Sequence, residues 1–302
     1  MAGKRVSAWK VGDVEIFSIA EVVELEDDMS VLLEGGTPEM ALQIPWLSPH
    51  YITPDGRMRI NFQGFVVKAG GKIIIVDTCI GADRQREYEV FCNLKSEYLN
   101  DLASIGVTPD NVDIVLCTHL HFDHVGWNAQ LKDGKWTATF PNARYLFGRE
   151  EYEHWMVLYR THGYHNLLHI DECVTPITDA GLADFVETDH RINEEVSLEH
   201  TPGHTPGHVS VRISSRGENA VITGDLMHHP IQIALPTHTA RFDMDIKVGA
   251  AQRLAFVEAA ADRPVLVIGT HFCAPIAGHV KTDGAAWRFE GLPTAGAADP
   301  SP

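Results

Sequence analysis

The chain has 302 residues, of which 44% are hydrophobic and 22% charged, the composition of a soluble globular protein with a buried core. Its formal net charge is −17, and no run of lysine or arginine stands out. This balance argues against a nucleic-acid binder and against attraction to an anionic membrane, because both need a basic surface. We therefore expect a small-molecule partner, with no nucleic acid and no membrane.

The cysteines and the N-terminal segment indicate in which cellular compartment we expect the protein. The five cysteines are scattered and form no CxxC pair, so we expect neither a zinc ribbon nor a disulfide framework. The first residues lack the apolar stretch of a secretory signal, and nothing approaches the roughly 18 apolar residues of a membrane-spanning helix. Together these features predict a reduced, cytoplasmic protein.

The first half of the chain alternates β-rich runs with loops. Residues 1–60 are predicted to form an N-terminal extension, with a strand at 14–22 and an ordered loop rich in Pro and Gly at 29–58. "INFQGFVVKAGGKIIIVDT" (60–78) predicts a β-hairpin that turns at "KAGG". A helix is predicted over 87–104, closed by Gly106, and "VDIVLC" (112–117) has the apolar pattern of a strand buried on both faces.

The second half repeats this pattern. Strands are predicted in "WTATF" and "ARYLFG", and a helix over 150–169. The apolar runs "VSLEH", "VSVRIS", "AVITGD" and "PVLVIGTHF" follow, with a helix over about 246–261. No segment has the composition of a linker, so we predict a single domain over 1–302 that ends in a disordered tail at 292–302.

Seven side chains that could bind metal ions follow the ends of predicted strands. They are His119, His121, Asp123, His124, His204, Asp225 and His271. Imidazole and carboxylate groups suit a borderline divalent ion such as zinc, but a tetrahedral ion takes only four ligands. The set therefore predicts two neighbouring ions that share one carboxylate. Asp225 is the natural bridge because it lies alone between the two late histidines.

The blocks "THLHFDH", "TPGHTPGH", "TGD" and "GTH", in this order, resemble the metallo-β-lactamase superfamily from the "GKIIIVDT" hairpin through His271. The resemblance implies an α/β fold, an αββα sandwich of two ββα halves with the metal site at one edge. It further implies that His119, His121 and His204 bind one ion, that Asp123, His124 and His271 bind the other, and that Asp225 bridges them. The expected cofactors are two zinc ions, with manganese, cobalt or iron as alternatives, and a homodimer is expected by resemblance only.

Several branches of that superfamily fit less well. True β-lactamases lack the aspartate found here at 225, and glyoxalase II needs a basic cluster near the C-terminus that this chain lacks. The charge disfavours RNA-processing members, and flavodiiron proteins replace one motif histidine with glutamate. The long N-terminal segment and "GDLMHHP" are more similar to the branch of lactonases and organophosphate (methyl parathion) hydrolases.

These observations predict a dinuclear zinc hydrolase that uses a bridging hydroxide to open a lactone or related ester. Asp123 and Asp225 are the expected catalytic residues, Asp123 as a proton relay and Asp225 as the metal bridge. The alternatives are a phosphotriester hydrolase and a β-lactamase-like amide hydrolase. A single-iron oxidoreductase similar to persulfide dioxygenases remains as an alternative of another class.

Other side chains are expected to support this site. The candidates for the substrate pocket are His228, His229, Met227, Trp46 and Phe62. Asp77 closes a buried strand and could accept a hydrogen bond from a ligand imidazole, which would fix its tautomer. We expect His208 to orient the loop that carries His204. His154, His162, His165 and His169 have no compact spacing and are expected mostly at the surface.

Overall fold

Two β-sheets packed face to face form the centre of the molecule, and helices cover their outer faces. The computed structural model describes residues 5–162 and 167–292. The strands are β1 Val6–Val11, β2 Val14–Asp27, β3 Met58–Ala69, β4 Lys72–Val76, β5 Ile114–Leu116, β6 Ala129–Lys132, β7 Lys135–Ala138, β8 Arg144–Gly148, β9 Ala183–Val186, β10 Val196–His200, β11 Val209–Ser215, β12 Glu218–Ile222, β13 Val265–Ile268, β14 Ala277–Asp283 and β15 Ala286–Gly291.

Most of the helices are short. The α-helices are α1 Met29–Leu32, α2 Pro38–Leu42, α3 Tyr98–Ser104, α4 Phe122–Val125, α5 Arg149–His162, α6 Thr175–Asp179, α7 Ile231–Ala234 and α8 Ile246–Ala260. Single 3₁₀ turns occur at Pro45–Leu47, Glu89–Phe91, Gly126–Asn128 and Gly224–Leu226, and a π-helical turn at Ile170–Val174.

The strand order places the loops that carry the motifs at one edge of the sandwich. The first sheet has the order β1-β2-β3-β4-β5-β8-β9, and the second has the order β10-β11-β12-β13-β14-β15. Strands β4, β5, β8 and β9 run parallel to one another, as do β12 and β13. The carboxyl ends of parallel strands meet at the same sheet edge, where open α/β sheets place their binding sites.

Alternating side chains in the strands build the layers. Phe65 and Val67 of β3 face the second sheet and belong to the core between the sheets, together with Val211 and Ile222. Val66 points the other way, into the apolar layer beneath the helices. A third cluster joins α8 to the outer face of the second sheet. The expected αββα sandwich is confirmed.

Some predicted elements are wrong in detail. The helix expected over 87–104 is reduced to the turn Glu89–Phe91 and helix α3, because Asn93 adopts a left-handed conformation (φ 50°) between them. Gly106 ends α3 as predicted, with φ 75°. In the N-terminal extension the predicted strand 14–22 lies within β2, β1 precedes it in the first sheet, and the predicted loop at 29–58 contains the short helices α1 and α2.

Three further expectations concern termini, membranes and cysteines. The helix predicted over 150–169 is found at Arg149–His162, whereas 163–166 and the predicted tail from 293 onward lie outside the described residues. Within the described ranges no helix combines the length and apolarity needed to span a membrane. The five cysteines are all free thiols.

Candidate metal centre

The seven predicted ligands converge at the sheet edge in two groups. His119, His121, His204 and Asp225 form the first group, and Asp123, His124 and His271 form the second. Within each group, one potential ligand atom per residue lies within 4.8 Å of all the others. The sequence separates these residues by up to half the chain, and the topology of the two sheets brings them together.

In the first group, three imidazole nitrogens form a small triangle. His121 Nδ1 lies 2.9 Å from His119 Nε2 and 2.8 Å from His204 Nε2, and those two Nε2 atoms are 3.1 Å apart. Burial lowers the pKa of His121 to about 4 and holds the pKa values of His119 and His204 well below the usual range. Three neutral rings cannot satisfy all three of these contacts with hydrogen bonds, whereas one cation at the centre could bind all three lone pairs.

In the second group, the outer nitrogen of each ring is already bonded. His124 Nδ1 lies 2.9 Å from Asp77 Oδ2, and His271 Nδ1 lies 2.7 Å from the Asn61 carbonyl oxygen. If each Nδ1 donates its proton there, both Nε2 lone pairs face inward, 3.4 Å apart and within 3.7 Å of Asp123 Oδ2. This is the orientation that metal-binding histidines need.

Charge supports the same interpretation. Burial acts to lower the pKa of His124 and His271, but the carboxylates of Asp225 and Asp123 outweigh it, and both pKa values are raised. The negative potential of the two carboxylates therefore favours positive charge between these rings. A divalent cation would supply that charge without protonating the rings.

Asp225 lies between the two groups. Its Oδ2 is 3.3 Å from His204 Nε2 and 3.2 Å from His124 Nε2, and its Oδ1 is 3.1 Å from His271 Nε2. The carboxylate thus reaches rings of both groups at once, which is the position required of a bridging ligand. Burial opposes its ionisation, but the surrounding imidazoles outweigh burial and hold the pKa of Asp225 well below its usual range.

His208 fixes the backbone of Asp225. The Asp225 N–H donates to His208 Nε2 at 2.8 Å, and His208 Nδ1 lies 3.0 Å from the Thr201 carbonyl oxygen. Gly224 has φ 55°, and a Cβ on it would lie 2.6 Å from His208 Nε2, so a side chain at 224 would displace this ring. His208 therefore ties the residue 201 loop to Asp225.

Asp77 holds the first ligand loop. Its carboxylate accepts hydrogen bonds from the Thr118 N–H at 2.7 Å and the Thr118 hydroxyl at 2.8 Å, in addition to its contact with His124. Asp77 is fully buried. The expected contact with a ligand imidazole is present, and the same carboxylate also fixes the start of the loop.

Sequence reasoning missed two buried glutamates, of which Glu151 holds the same loop and Glu21 holds the neighbouring segment after β4. Glu151 accepts hydrogen bonds from the N–H groups of Leu120 and Gly207, both at 3.1 Å, and from Trp155 Nε1 at 2.6 Å. Glu21 accepts from the N–H of Ile80 at 2.7 Å and from Trp127 Nε1 at 2.7 Å. The one sequence signal for Glu151 is a tryptophan four residues later in the predicted helix.

A buried ion pair between Asp243 and Arg253 lies next to His204. Asp243 Oδ2 accepts from Arg253 Nη1 at 2.7 Å, and Asp243 Oδ1 lies 3.8 Å from His204 Nδ1. Neither Asp243 Oδ1 nor His204 Nδ1 has a hydrogen-bond partner among the described residues. Asp243 is thus placed to orient the His204 ring from behind.

A cavity of about 200 Å³ opens onto both groups. Its walls are largely apolar, with Ile60, Phe62, Phe91, Phe122 and Phe242 beside the predicted ligands. His228 also lines it, with Nε2 3.3 Å from Asp225 Oδ2. Of the five predicted pocket residues, Phe62 and His228 therefore face this cavity.

The other three pocket candidates, Met227, Trp46 and His229, do not line this cavity. Met227 is buried in the apolar cluster around α8, and Trp46 packs against the same cluster, because both side chains are large and apolar. His229 turns away from the cavity and its Nε2 lies 2.8 Å from the Tyr51 carbonyl oxygen.

The prediction that the histidines between 154 and 169 lie mostly at the surface is wrong for His169. His169 is only 8% exposed and packs against Trp155, with ring centres 5.2 Å apart, and His154 is half-buried. The side chains of His162 and His165 lie outside the described residues.

Comparison with known proteins agrees with this architecture. The Metallo-beta-lactamase superfamily matches residues 63–271 of the chain. An N-acyl homoserine lactonase from a Bacillus species is 28% identical over 172 residues, which make up 57% of this chain and 60% of that protein. One from Bacillus thuringiensis is 27% identical over the same length. The chain thus matches less than two thirds of the length of these relatives.

Two solved structures show the same fold over nearly the full length. The hydrolase AbOPH of the beta lactamase superfamily has a TM-score of 0.78 and 24% identity, covering 97% of this chain and 98% of its own. The dizinc quorum-quenching lactonase AidC has a TM-score of 0.75 and 19% identity, with the same coverage. Because the family match spans more than half of the sequence, the chain belongs to the metallo-β-lactamase superfamily.

Proposed function

We propose that this protein is a hydrolase that opens lactones or related esters at a centre of two zinc ions. The observation that carries the proposal is the position of Asp225 between two groups of inward-facing imidazoles. The partial similarity to N-acyl homoserine lactonases supports the substrate class.

The residues present fit two divalent ions. His119, His121 and His204 would hold one, Asp123, His124 and His271 the other, and Asp225 would join them. When bound, the two ions would lower the pKa of a shared water and polarise the carbonyl oxygen of the substrate. Manganese, cobalt or iron would suit the same nitrogen and oxygen ligands.

Two side chains contribute beyond ligation. The Asp123 side chain is 11% exposed and faces the cavity, where it would relay the proton of the attacking hydroxide to the leaving alkoxide oxygen. His228 lines the cavity with its Nε2 3.3 Å from Asp225 Oδ2, and we propose that this residue contacts the substrate beside Asp225. Both roles are proposed because each side chain lines the cavity.

The cavity walls favour a neutral, partly apolar substrate. Four phenylalanines and Ile60 surround the ligand groups and would exclude water from the reacting carbonyl. A lactone ring presents one polar edge to the centre and its carbon skeleton to these walls. The apolar walls therefore favour a lactone over a substrate that carries a charge next to the bond to be broken.

A pH-stat assay of the zinc-loaded protein tests the proposal. N-acyl homoserine lactones, simple lactones, a phosphotriester and a β-lactam are compared side by side, with Asp225→Asn as the control for contaminating activity. We expect acid release from the lactones that the control lacks. Turnover of only the phosphotriester or the β-lactam would replace the substrate class.

Metal analysis of the purified protein separates the proposal from its alternative of another class. Two zinc ions per chain are expected. A single iron, together with oxygen consumption in the presence of a persulfide, would instead identify an oxidoreductase and overturn the assignment as a hydrolase.

A further inference from the structure

A second chamber adjoins the cavity of the proposed metal centre. Its volume is about 790 Å³, against about 200 Å³ for the metal cavity, and the two share Tyr88, His121 and Phe122 in their walls. Of the seven predicted ligands, all of which lie in the described ranges, only His121 lines both spaces. A molecule bound at the metal centre could therefore extend past His121 into the chamber.

His121 differs from the other proposed ligand histidines in the ring nitrogen that points away from the metal centre. In those four rings Nδ1 lies close to a protein oxygen, at 3.1 Å for His119 and Thr118 Oγ1, 2.9 Å for His124 and Asp77 Oδ2, 3.8 Å for His204 and Asp243 Oδ1, and 2.7 Å for His271 and the Asn61 carbonyl oxygen. In His121 the outer nitrogen is Nε2. The hydrogen-bond contacts of this ring within the described ranges all involve Nδ1, so Nε2 has no partner there.

The outer nitrogen of His121 is also accessible. The buried ring nitrogens that lack a partner in the described part of the chain include Nε2 of His169 and Nε2 of His228, but not Nε2 of His121. Because His121 lines the metal cavity and the chamber, its unpaired Nε2 opens into the space that the two form together.

The proposed metal centre decides where the His121 ring carries its proton. Nδ1 lies 2.9 Å from His119 Nε2 and 2.8 Å from His204 Nε2, so Nδ1 is the atom that would bind the ion. A neutral imidazole that binds a cation through Nδ1 has its proton on Nε2 and can only donate there. The charge of the ion would polarise the ring and strengthen this donor.

Trp155 fixes the direction in which this N–H group points. Its ring meets the His121 ring edge-on, with ring centres 5.1 Å apart, and its Nε1 donates to Glu151 Oε1 at 2.6 Å. Trp155 is itself only 3% exposed. The donor is therefore held in place by packing before a ligand arrives, which lowers the entropy cost of binding to it.

The walls of the chamber favour an uncharged ligand. Five of the lining side chains are aromatic or aliphatic, namely Tyr88, Phe122, Trp155, Leu167 and Leu168. Glu87 is exposed in the same wall and disfavours an anion, and Arg86 Nη1 already donates to Glu172 Oε2 at 2.8 Å. An uncharged carbonyl oxygen, as in a ketone or an amide, suits both the apolar walls and a single N–H donor.

We infer that His121 has a second role, in which its Nε2–H donates a hydrogen bond to an uncharged carbonyl oxygen on the side chain of the substrate while the ester bond lies at the metal centre. Lactones with such an oxygen at the matching distance are then preferred over lactones with a plain alkyl side chain. The rate test of this inference rests on the proposed function, whereas its spectroscopic test needs the metal centre but no hydrolysis.

The rate test compares matched substrates on the zinc-loaded protein. A series of γ-lactones carries one ketone at successive positions of an alkyl side chain, and each is assayed beside the alkyl lactone of equal length. At one position we expect kcat/KM for the ketone to exceed that for its alkyl partner by about three- to tenfold, as for one hydrogen bond between neutral groups. Equal rates for ketone and alkyl lactones at every position would overturn the inference.

Variants exclude other donors in the chamber. The Tyr88 hydroxyl and the Gln85 amide are the rivals, and both side chains are exposed, so Tyr88→Phe and Gln85→Leu remove these donors without opening the core. We expect both variants to keep the preference for the ketone. Loss of the preference in either variant would assign the contact to that side chain and contradict the role of His121.

The spectroscopic test is decisive even if no lactone is hydrolysed. The γ-lactam counterparts of the best ketone and of its alkyl partner, which resist hydrolysis, are titrated into zinc-loaded protein with ¹⁵N-labelled histidine rings. The His121 signal is identified by its magnetisation transfer to Trp155 and is distinguished from that of the neighbouring His169 by its dependence on zinc.

We expect the Nε2 proton of His121 to shift downfield with the ketone lactam and not with the alkyl lactam, because a hydrogen bond deshields the proton. The same response to both lactams would overturn the inference. A shift with the ketone lactam alone, in a protein that hydrolyses no lactone, would uphold the hydrogen bond and overturn only the proposed function.

Discussion

The two halves of the chain supply the proposed metal ligands in different ways. The loop after β5 delivers four of them, His119, His121, Asp123 and His124, within six consecutive residues. The second half delivers one each from the separate loops after β10, β12 and β13.

Their supports differ as well. Buried carboxylates of Asp77 and Glu151 hold the first loop through the backbone N–H groups of Thr118 and Leu120. In the second half each ligand has its own support, such as His208 for Asp225. Loss of a support in the first half should therefore disturb several ligands together, whereas loss in the second half should disturb one.

The strongest exception to this division is Asp225, which belongs to the second half but contacts both groups. We expect Asp225→Ala to abolish binding of the paired ions and to lower hydrolysis by about a thousandfold or more, while the sheets still fold. Metal content, circular dichroism and turnover are measured on the same sample. Wild-type turnover with a full metal content would rule out Asp225 as the bridge.

Glu151 connects the two halves, because it accepts from Leu120 in the first ligand loop and from Gly207 beside the second. Glu151→Ala leaves these N–H groups and Trp155 Nε1 without an acceptor. We expect a loss of about 3–5 kcal/mol in the free energy of unfolding, measured by urea denaturation, together with weaker zinc binding.

The matched control for this change is Glu153→Ala on the same helix, where the side chain is exposed. It should alter stability by less than about 0.5 kcal/mol. If the two variants unfold alike, then Glu151 does not organise the ligand loops.

Asp77→Asn tests the first half alone. The amide can still accept from Thr118, but its NH₂ group cannot accept the proton of His124 Nδ1, so the His124 ring loses its preferred tautomer. We expect the ion bound by His124 to be held about 10- to 100-fold more weakly, as measured by competition with a zinc-sensitive dye. Two ions bound with unchanged affinity would show that Asp77 acts only on the backbone.

The sequence is informative where ligands and strands are contiguous. The histidines and the aspartate in "THLHFDH" can be recognised as candidate metal ligands from the sequence alone. The apolar runs before each candidate ligand predict the strands that end at the site. These signals are local, since strand pattern and ligand type are both present within a few residues. The local signals predict the strands and the candidate ligands, whereas the αββα sandwich is implied by the resemblance of these blocks to the metallo-β-lactamase superfamily.

The supporting residues are not predictable in the same way. Glu151 looks like an exposed position on an amphipathic helix, and its burial depends on N–H groups 31 and 56 residues away. His228 and His229 are adjacent, yet one faces the cavity and the other the Tyr51 carbonyl, because the turn at 224–231 decides their directions. Arg86 is likewise an ordinary surface arginine by sequence and a buried one in the fold.

The smallest effect on metal binding is expected for Asp243→Asn, which tests whether a support in the second half acts on one ligand only. The amide oxygen can still accept from Arg253, so the cost in unfolding free energy should be about 1–3 kcal/mol. The amide attracts the His204 Nδ1 proton less strongly than a carboxylate, and we expect one zinc to bind about tenfold more weakly while the other is unchanged.

Asp245→Asn is the control for Asp243→Asn, because it lies two residues away, is exposed, and caps α8 in a way that asparagine preserves. Dye competition resolves the two zinc affinities in both variants. If Asp243→Asn weakened both ions equally, the His204 support would act across the centre as Asp225 does. The contrast between a jointly held first loop and individually held later ligands would then fail, because coupling through the shared carboxylate would outweigh the separate anchoring of each ring.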